Sequence, residues 1–396
     1  MKKIFILIFL SINIVSEAQW VEQVSGTTND LRSVYFVDTL VGYSVGNTGT
    51  ILKTINSGTN WNSCSYSTPY TLYGVFFNNK DTGYAVGDNG IILKTIDGGT
   101  NWNLQISGTT GGLRAVYFID NDTGYVTGSS TIFKTTNGGI NWNPQSTGII
   151  SGFSSIHFTD NHTGFAVGTG GKIIKTTNGG LNWSNQTSGG GQILYSINFA
   201  DANVAYVVGA NGTIIKTIDA GANWTTLNSS TTKELYSVCF TDANTGYVVG
   251  GDIIQTLILK TIDGGINWTS QSSPVNEPFN SVFFLDNFNG YAVGFYGAII
   301  KTTNGIGINE SDMLNGINVY PNPTDNDIYI SINLTSYSDV KISVIDILGQ
   351  EIISDKMLNQ KEIVSKQISF EDLSNGIYMI NVTVGGTISS RKVVKQ

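Results

Sequence analysis

The sequence predicts an all-β fold: a seven-bladed β-propeller closed by an N-terminal strand and followed by a small C-terminal β-sandwich. Three observations carry this expectation. Tryptophan recurs at Trp20, Trp61, Trp102, Trp142, Trp183, Trp224 and Trp268, with spacings of 41, 41, 40, 41, 41 and 44 residues. A period near 40 that holds several short strand-like stretches is that of a propeller blade. A second half-motif, close to Gly-aromatic-x-Val-Gly, also occurs seven times, anchored at Tyr43, Tyr84, Tyr125, Phe165, Tyr206, Tyr247 and Tyr291. The two halves run out of phase. Trp20 precedes any first strand, and the last copy ends as KTTNGIGINE without its tryptophan. Residues 19–25 would therefore complete the blade begun by 281–304. Such closure removes exposed sheet edges and sets the blade number at seven. An open solenoid would instead carry distinct polar caps.

Each repeat divides into four strands. In the second, strand A is read at Gly74 to Phe77, strand B at Gly83 to Val86, strand C at Ile91 to Thr95, and strand D from near Trp102. Asx-Gly and Gly-Gly pairs between them suit tight antiparallel turns. No helix is expected in the array. The sixth copy, at Gly250 to Lys260, is three residues longer than its neighbour, so its B–C connection is enlarged or its strands B and C are extended.

Composition bounds the function. The chain has 396 residues, 40% hydrophobic and 13% charged, with 47 glycines, 6 prolines and a formal charge of -8. Residues 19–305 hold 12 Lys/Arg against 17 Asp/Glu. No basic stripe exists to neutralise phosphates, so nucleic acid is not an expected partner. The start, MKKIFILIFLSINIVSEAQ, has a positive beginning, an apolar run and a small-residue site. It reads as a secretory leader over 1–18, cut after Ala18. No later segment is long and apolar enough to span a bilayer. Cys64 and Cys239 lie five repeats apart and are not expected to pair.

The tryptophan half has a local physical logic. In Thr95-Ile96-Asp97-Gly98-Gly99-Thr100-Asn101-Trp102 the Asp97 carboxylate can accept turn amides, the glycines permit positive φ, and the indole can pack beneath the turn to hold strands C and D. The same set recurs with Asn56 and Trp61, Asn137 and Trp142, Asn178 and Trp183, Asp219 and Trp224, and Asp263 and Trp268; Trp20 closes the ring. These stretches resemble the Asp-box of BNR repeats in sialidases and related propellers. Together with the Gly-Tyr-x-Val-Gly half they look most like the repeats of the Ycf48 family of photosystem II assembly factors, over residues 19–305. The resemblance implies the propeller fold. It also implies that the Asp-box is a fold element away from the active face, neither catalytic nor metal-binding.

Ligands of propellers sit around the central channel. One register of strand A is small throughout: Ser33, Gly74, Ala115, Ser155, Ser196, Ser237 and Ser281. Crowding at the axis explains this. The preceding position is varied and mostly large: Arg32, Tyr73, Arg114, Ser154, Tyr195, Tyr236 and Asn280. Arg32, Tyr73, Arg114, Tyr195, Tyr236 and Asn280 are the candidate binding residues, since Arg and Tyr at a concave rim suit carbohydrate, carboxylate or peptide.

Catalysis has little support in the sequence. Sialidase activity would need three arginines around a carboxylate, and the chain has only Arg32, Arg114 and Arg391. Other glycosidases need two facing carboxylates. Asp38, Asp120, Asp160, Asp201, Asp242 and Asp286 repeat in phase, as turn-capping residues would, which leaves Glu22, Glu234, Asp252 and Glu277 off the pattern. His157 and His162 lack a cysteine nearby, so no metal site and no cofactor are expected.

After Asn304 the repeat stops. Residues 306–316 read as a linker and 317–396 as a second domain, with strand-like runs at Gly316–Tyr320, Asp327–Leu334, Val340–Ile347, Glu351–Ser354, Glu362–Ser369, Gly376–Val384 and Ser389–Val394. Tyr320-Pro321-Asn322-Pro323 makes a stiff opening turn. Asp346, Gly349 and Gln350 mark a hairpin, Gly376 and Tyr378 a strand start, and Lys392 and Lys395 a basic end. Together these resemble the type A C-terminal sorting domain of the type IX (Por) secretion system of Bacteroidetes. The resemblance implies the type IX machinery as a partner and passage through the periplasm. It further implies secretion or outer-membrane surface attachment. The expectation for the whole is non-catalytic recognition of a glycan or protein through the propeller face. An extracellular glycoside hydrolase or lyase, with its catalytic residues in the longer D–A connections, and a Ycf48-like assembly scaffold are the alternatives.

Overall fold

A computed structural model describes residues 19–303 and 318–396, apart from 65, 130, 150, 253–254, 288, 347–349 and 385–386. The leader at 1–18, the linker at 306–316 and Gly349 lie outside the described residues. The chain divides into two compact units, Met1–Gly305 and Ile306–Gln396.

The first unit holds seven four-stranded antiparallel sheets. In the second blade the strands are Leu72–Phe77, Gly83–Gly87, Ile92–Thr95 and Asn103–Gln105. Strand A thus begins two residues before the sequence-based bound. Successive A strands touch, from Leu31–Phe36 round to Phe279–Phe284 and back, so the sheets form a ring. The ring is closed by Gln19–Gln23, which pairs antiparallel with Ile299–Thr303 and places Trp20 opposite Thr302. Single 3-10 turns fill the B–C connection in five blades. In the sixth blade it is the strands that lengthen, to Gly246–Asp252 and Gln255–Thr261.

What joins one blade to the next is a latch on the Asp-box. The Tyr84 hydroxyl donates to the Gly138 carbonyl at 2.8 Å, and Lys94 Nζ donates to the same oxygen at 2.7 Å. Tyr43 and Lys53 converge likewise on Gly98, Tyr125 and Lys134 on Gly179, Tyr206 and Lys216 on Gly264, and Tyr291 and Lys301 on Ser57. In each case the donors belong to one blade and the acceptor to the next. Burial pushes the Tyr84, Tyr125 and Tyr206 phenols up to about 12 and the Lys94, Lys134 and Lys216 ammonium groups down.

Aromatic packing runs through the same boundary. Tyr84 stacks on Phe118 at 4.0 Å, and Phe118 meets the edge of Trp142 at 5.9 Å. The indole therefore packs at a blade interface, a larger role than bracing strands C and D. The glycine before each tyrosine makes room for this phenylalanine: a Cβ there would lie 2.2–2.5 Å from the ring in six blades. The exception proves the constraint physically. In the fifth blade Ala205 replaces the glycine, and Phe199 is displaced. It lies tilted at 5.0 Å from Phe165 and stacks on His157 instead, while Trp224 turns to Phe165. Phe165 is also the one latch aromatic without a hydroxyl, so Ala220 receives only Lys175.

Inside the Asp-box, Asp97 Oδ1 accepts the Asn101 amide at 2.9 Å and the Thr95 hydroxyl at 2.9 Å. Asn56, Asn137 and Asn178 accept the corresponding amides through their side-chain oxygens. The Asn223 amide, first among several bonds, draws the Asp219 carboxyl down to about 2.

Among its described residues the second unit has five strands, Asn318–Tyr320, Asp327–Ile345, Glu351–Ser369, Gly376–Val384 and Thr387–Lys395. The separate runs expected at 327–334 and 340–347 are one long strand, with register breaks between Leu334 and Val340; 351–354 and 362–369 merge in the same way. Ile328, Ile330, Ile342, Val344, Phe370, Ile380 and Val393 form its core. The tail motifs meet here. Asn322 Nδ2 donates to the Lys392 carbonyl at 2.7 Å, and the Val394 amide donates to Asn322 Oδ1 at 3.0 Å. The Gln350 amide donates to Asp346, Tyr378 to Ser374, and the buried Lys395 ammonium to Phe370 and Glu371.

Two outcomes are expected. Phe165→Tyr supplies the missing latch donor and stabilises the propeller by about 1 kcal/mol, the net worth of one internal hydrogen bond; urea denaturation measures it, and a destabilised variant would count against the latch. The depressed Asp219 pKa stabilises the fold above the carboxyl's usual value of 3.8, and this contribution disappears as pH falls through about 2. Melting temperature followed from pH 5 to 2 (values of about that range) should show a shallower acid loss in Asp219→Asn than in the parent chain.

Candidate functional site at the channel mouth

A backbone irregularity builds the site. In every blade the A–B register shifts near the start of strand A, at Leu31/Ser33, Leu72/Gly74, Leu113/Ala115, Phe153/Ser155, Leu194/Ser196, Leu235/Ser237 and Phe279/Ser281. The residue between them is the extra one of a β-bulge, and a bulge re-aims its side chain. Those seven residues are Arg32, Tyr73, Arg114, Ser154, Tyr195, Tyr236 and Asn280. The small residues that follow have a bonding role besides compactness. Ser155, Ser196, Ser237 and Ser281 each accept a backbone amide of the next blade through Oγ.

The bulge residues turn toward the B–C connections, away from the Asp-boxes. Arg32 Nε donates to Asn47 Oδ1 at 3.0 Å, and its Nη2 reaches Asp30 at 3.1 Å; Phe295 lies under the guanidinium at 5.4 Å. Tyr73 donates to Asp88 at 3.2 Å, and the Arg114 guanidinium lies 3.9 Å over the Tyr73 ring. Tyr195 donates to Glu234 at 2.8 Å and packs against Tyr236 at 5.3 Å. Asn280 is turned instead onto the Leu31 carbonyl at 2.8 Å, so it braces the ring.

The mouth is therefore chemically divided. Blades two and three bring Tyr73 and Arg114 together, while Arg32 of blade one is held by Asn47 and Asp30. Blades five and six bring Tyr195, Tyr236 and Glu234, and the lengthened hairpin of blade six adds Asp252, whose carboxylate lies 3.6 Å from Lys233. Burial raises the Tyr195 and Tyr236 phenols; Glu234 raises both further, and for Tyr236 the Arg32 charge opposes it. Of the four off-pattern acids, Glu234 and Asp252 stand here, whereas Glu22 and Glu277 line a separate groove between blades six and seven. The seven D–A connections are of similar length, six to eight residues by their strand bounds, for example 228–233, 106–112 and 64–71. None is an enlarged loop of the kind the hydrolase alternative invoked.

Further along strand A a second belt crosses between blades. Phe283, Tyr35, Phe76, Tyr117 and His157 contact one another in turn at 5.1–5.4 Å. Burial lowers His157 to about 4 and raises Tyr35 to about 12, so both are neutral at ordinary pH. Cys64 and Cys239 are free thiols, and burial raises Cys239 to about 11. Among the described residues no group of three His, Cys, Asp or Glu is placed to hold a metal ion. Sequence reasoning missed Asn47, Asp88 and Phe295. Their signal was aperiodicity in the B–C turn of an otherwise periodic hairpin.

Comparison with known proteins agrees with this architecture. The family described as "Photosynthesis system II assembly factor YCF48" matches residues 12–148, 147–232 and 222–313. The family described as "Secretion system C-terminal sorting domain" matches residues 318–396. Among solved structures, "YCF48 bound to D1 peptide" is similar at 20% identity over 72% of this chain and 97% of that one, with a TM-score of 0.63. YCF48 from Cyanidioschyzon merolae is similar at 19% identity over 72% and 99%, TM-score 0.62. A GH74 enzyme of Niastella koreensis is similar at 13% identity over 95% and 74%, TM-score 0.62. At these identities the likeness is one of fold. No curated protein matches the chain.

Proposed function

The chain belongs to the YCF48 family of photosystem II assembly factors, with a type IX secretion sorting domain as its tail, and from that premise we propose that it is an exported, non-catalytic recognition module whose channel mouth binds a protein segment or an acidic glycan. One observation carries the reading. Arg114 is exposed, lies 3.9 Å over the Tyr73 ring, and has no ion-pair partner among the described residues. Its N–H edge is pre-organised for a planar acceptor such as a carboxylate. Tyr73 is itself fixed by Asp88, so the platform is rigid before a ligand arrives. The D1 peptide bound to one similar propeller, YCF48, supports a protein segment as one kind of partner.

In this reading residues 1–18 are removed during export to the periplasm. The propeller of 19–305 is joined by 306–316 to the sorting domain of 317–396. That domain directs passage across the outer membrane, with release or attachment at the cell surface. Among the described residues no helix is long and apolar enough to cross a membrane.

Calorimetry of the full chain against acidic polysaccharides and peptides with free carboxyl termini tests the proposal, with the same mixtures checked for product release. Heat with unchanged ligand is expected. Arg114→Ala should weaken binding by about 1.5–3 kcal/mol, the worth of a hydrogen bond to a charged group, and Arg114→Lys should recover only part, since it restores charge without the planar fork. Released product would sink the non-catalytic reading; full affinity in Arg114→Ala would sink the assignment to this mouth.

A further inference from the structure

The seven connections between blades are not chemically equal. Six carry no aromatic residue: 24–30, 106–112, 146–152, 187–193, 228–233 and 271–278. The connection from the first blade to the second, 64–71, reads CSYSTPYT and contributes Tyr66, Pro69 and Tyr70. It is seated firmly. A Cβ on Gly49, in the B–C turn of its own blade, would lie 2.5 Å from Thr68, so the connection rests directly on that turn. Pro69 fixes its own φ and narrows the loop's freedom.

In the structure this connection lines a groove of about 740 Å³ shared with blade two. The other side is formed by Asn89 in the B–C turn, by Leu104, Gln105 and Ile106, and by the hydroxyl-rich 107–110. Leu104 is 62% exposed, Ile106 85% and Tyr70 40%. No lining residue is acidic or basic. The corresponding groove between blades six and seven, about 660 Å³, carries Glu22 and Glu277. The same place in the repeat thus has an acidic version and an uncharged aromatic version.

We infer that the groove between the first and second blades binds an uncharged oligosaccharide, with Tyr70 as a stacking face and the Asn89 and Gln105 amides as partners for hydroxyls. A sugar ring offers an apolar C–H face and a rim of neutral donors and acceptors. Aromatic and aliphatic side chains beside neutral amides are its complement, and the volume is within the roughly 300–1,000 Å³ of small-molecule sites. A peptide added as a further strand is disfavoured by the outer strand, which is only Asn103–Gln105 and presents too short an edge for a run of main-chain bonds. A charged ligand finds no counter-charge.

The test is titration of the full chain with neutral hexasaccharides of α- and β-linked glucose, xylose, mannose and N-acetylglucosamine, read by calorimetry and by saturation-transfer NMR. At least one linkage should bind saturably, with an affinity unchanged by added salt. Tyr70→Ala should weaken it about tenfold, the worth of one aromatic contact, and Tyr70→Phe should restore it. Tyr70 is exposed, and an unchanged near-ultraviolet circular dichroism spectrum would show that the variant folds. Absence of saturable binding across the panel overturns the inference, as does Tyr70→Ala with parent affinity or a groove that takes peptides alone. Failure here is distinguishable from failure at the mouth: Tyr70→Ala keeps any acidic ligand of Arg114, and Arg114→Ala keeps the neutral sugar.

Discussion

Among the described residues, six blade boundaries turn on one main-chain oxygen in the Asp-box turn. Tyrosine and lysine from the preceding blade donate to it in five of them, lysine alone at Ala220, and the turn that presents it is held by Thr, Asp or Asn and one or two glycines. At Gly138 both donors approach within 2.8 Å. A carbonyl that accepts two bonds has both lone pairs occupied, and a lysine so placed needs no carboxylate in a half-buried site. The phenylalanine that fills the space beneath couples this contact to the interior of the next blade. The latch therefore ties three parts of each repeat to its neighbour at once. Substitution of one part displaces another, as Ala205 and Phe199 show.

This arrangement decides which charges are available for binding. Six of the twelve cations in the propeller, Lys53, Lys94, Lys134, Lys175, Lys216 and Lys301, are held by Asp-box carbonyls. On that face the in-phase aspartates cap their own turns; Asp120, for instance, accepts the Asp122 and Thr123 amides. These lysines and aspartates are thus engaged within the fold. On the opposite face the bulge residues and the B–C turns carry side chains that the latch does not use. That is a physical reason to look for recognition there, independent of any likeness to other propellers.

Periodicity made most of the fold legible. Blade number, closure by Trp20 and the turn role of the Asp-box follow from repeats that each blade must satisfy identically. Two kinds of feature were not legible. Contacts between blades, such as Tyr84 to Gly138, join residues 54 apart in sequence, and a motif read within one repeat finds the tryptophan's place beneath its own turn but not its share in the blade interface. The tail has no repeat, so Asn322 and Lys392 could be read only as separate marks of one signature. For the candidate site, the variable register was visible as a column of Arg and Tyr. The bulge that makes it project was not, because an extra residue common to all seven copies leaves the period unchanged. Asn280 shows the limit from the other side: it shares that register yet bonds to Leu31 across the ring seam.

The bulge and the connections between blades are where such a repeat can change chemistry without loosening its ring. A side chain at Arg32 or Tyr236 alters the mouth while the paired residues on either side keep their partners. A connection such as 64–71 can gain two tyrosines provided its seat on Gly49 is preserved. The lengthened hairpin of blade six is a third case: its added pairs, from Gly250 opposite Leu257 to Asp252 opposite Gln255, extend the ladder outward from a latch that stays in place. Variation is concentrated where no neighbouring blade depends on the side chain, and those positions surround the mouth and the groove beside it. A rigid ring with separately adjustable surfaces suits recognition, because each surface can be preformed for its own ligand at little cost to the stability of the whole.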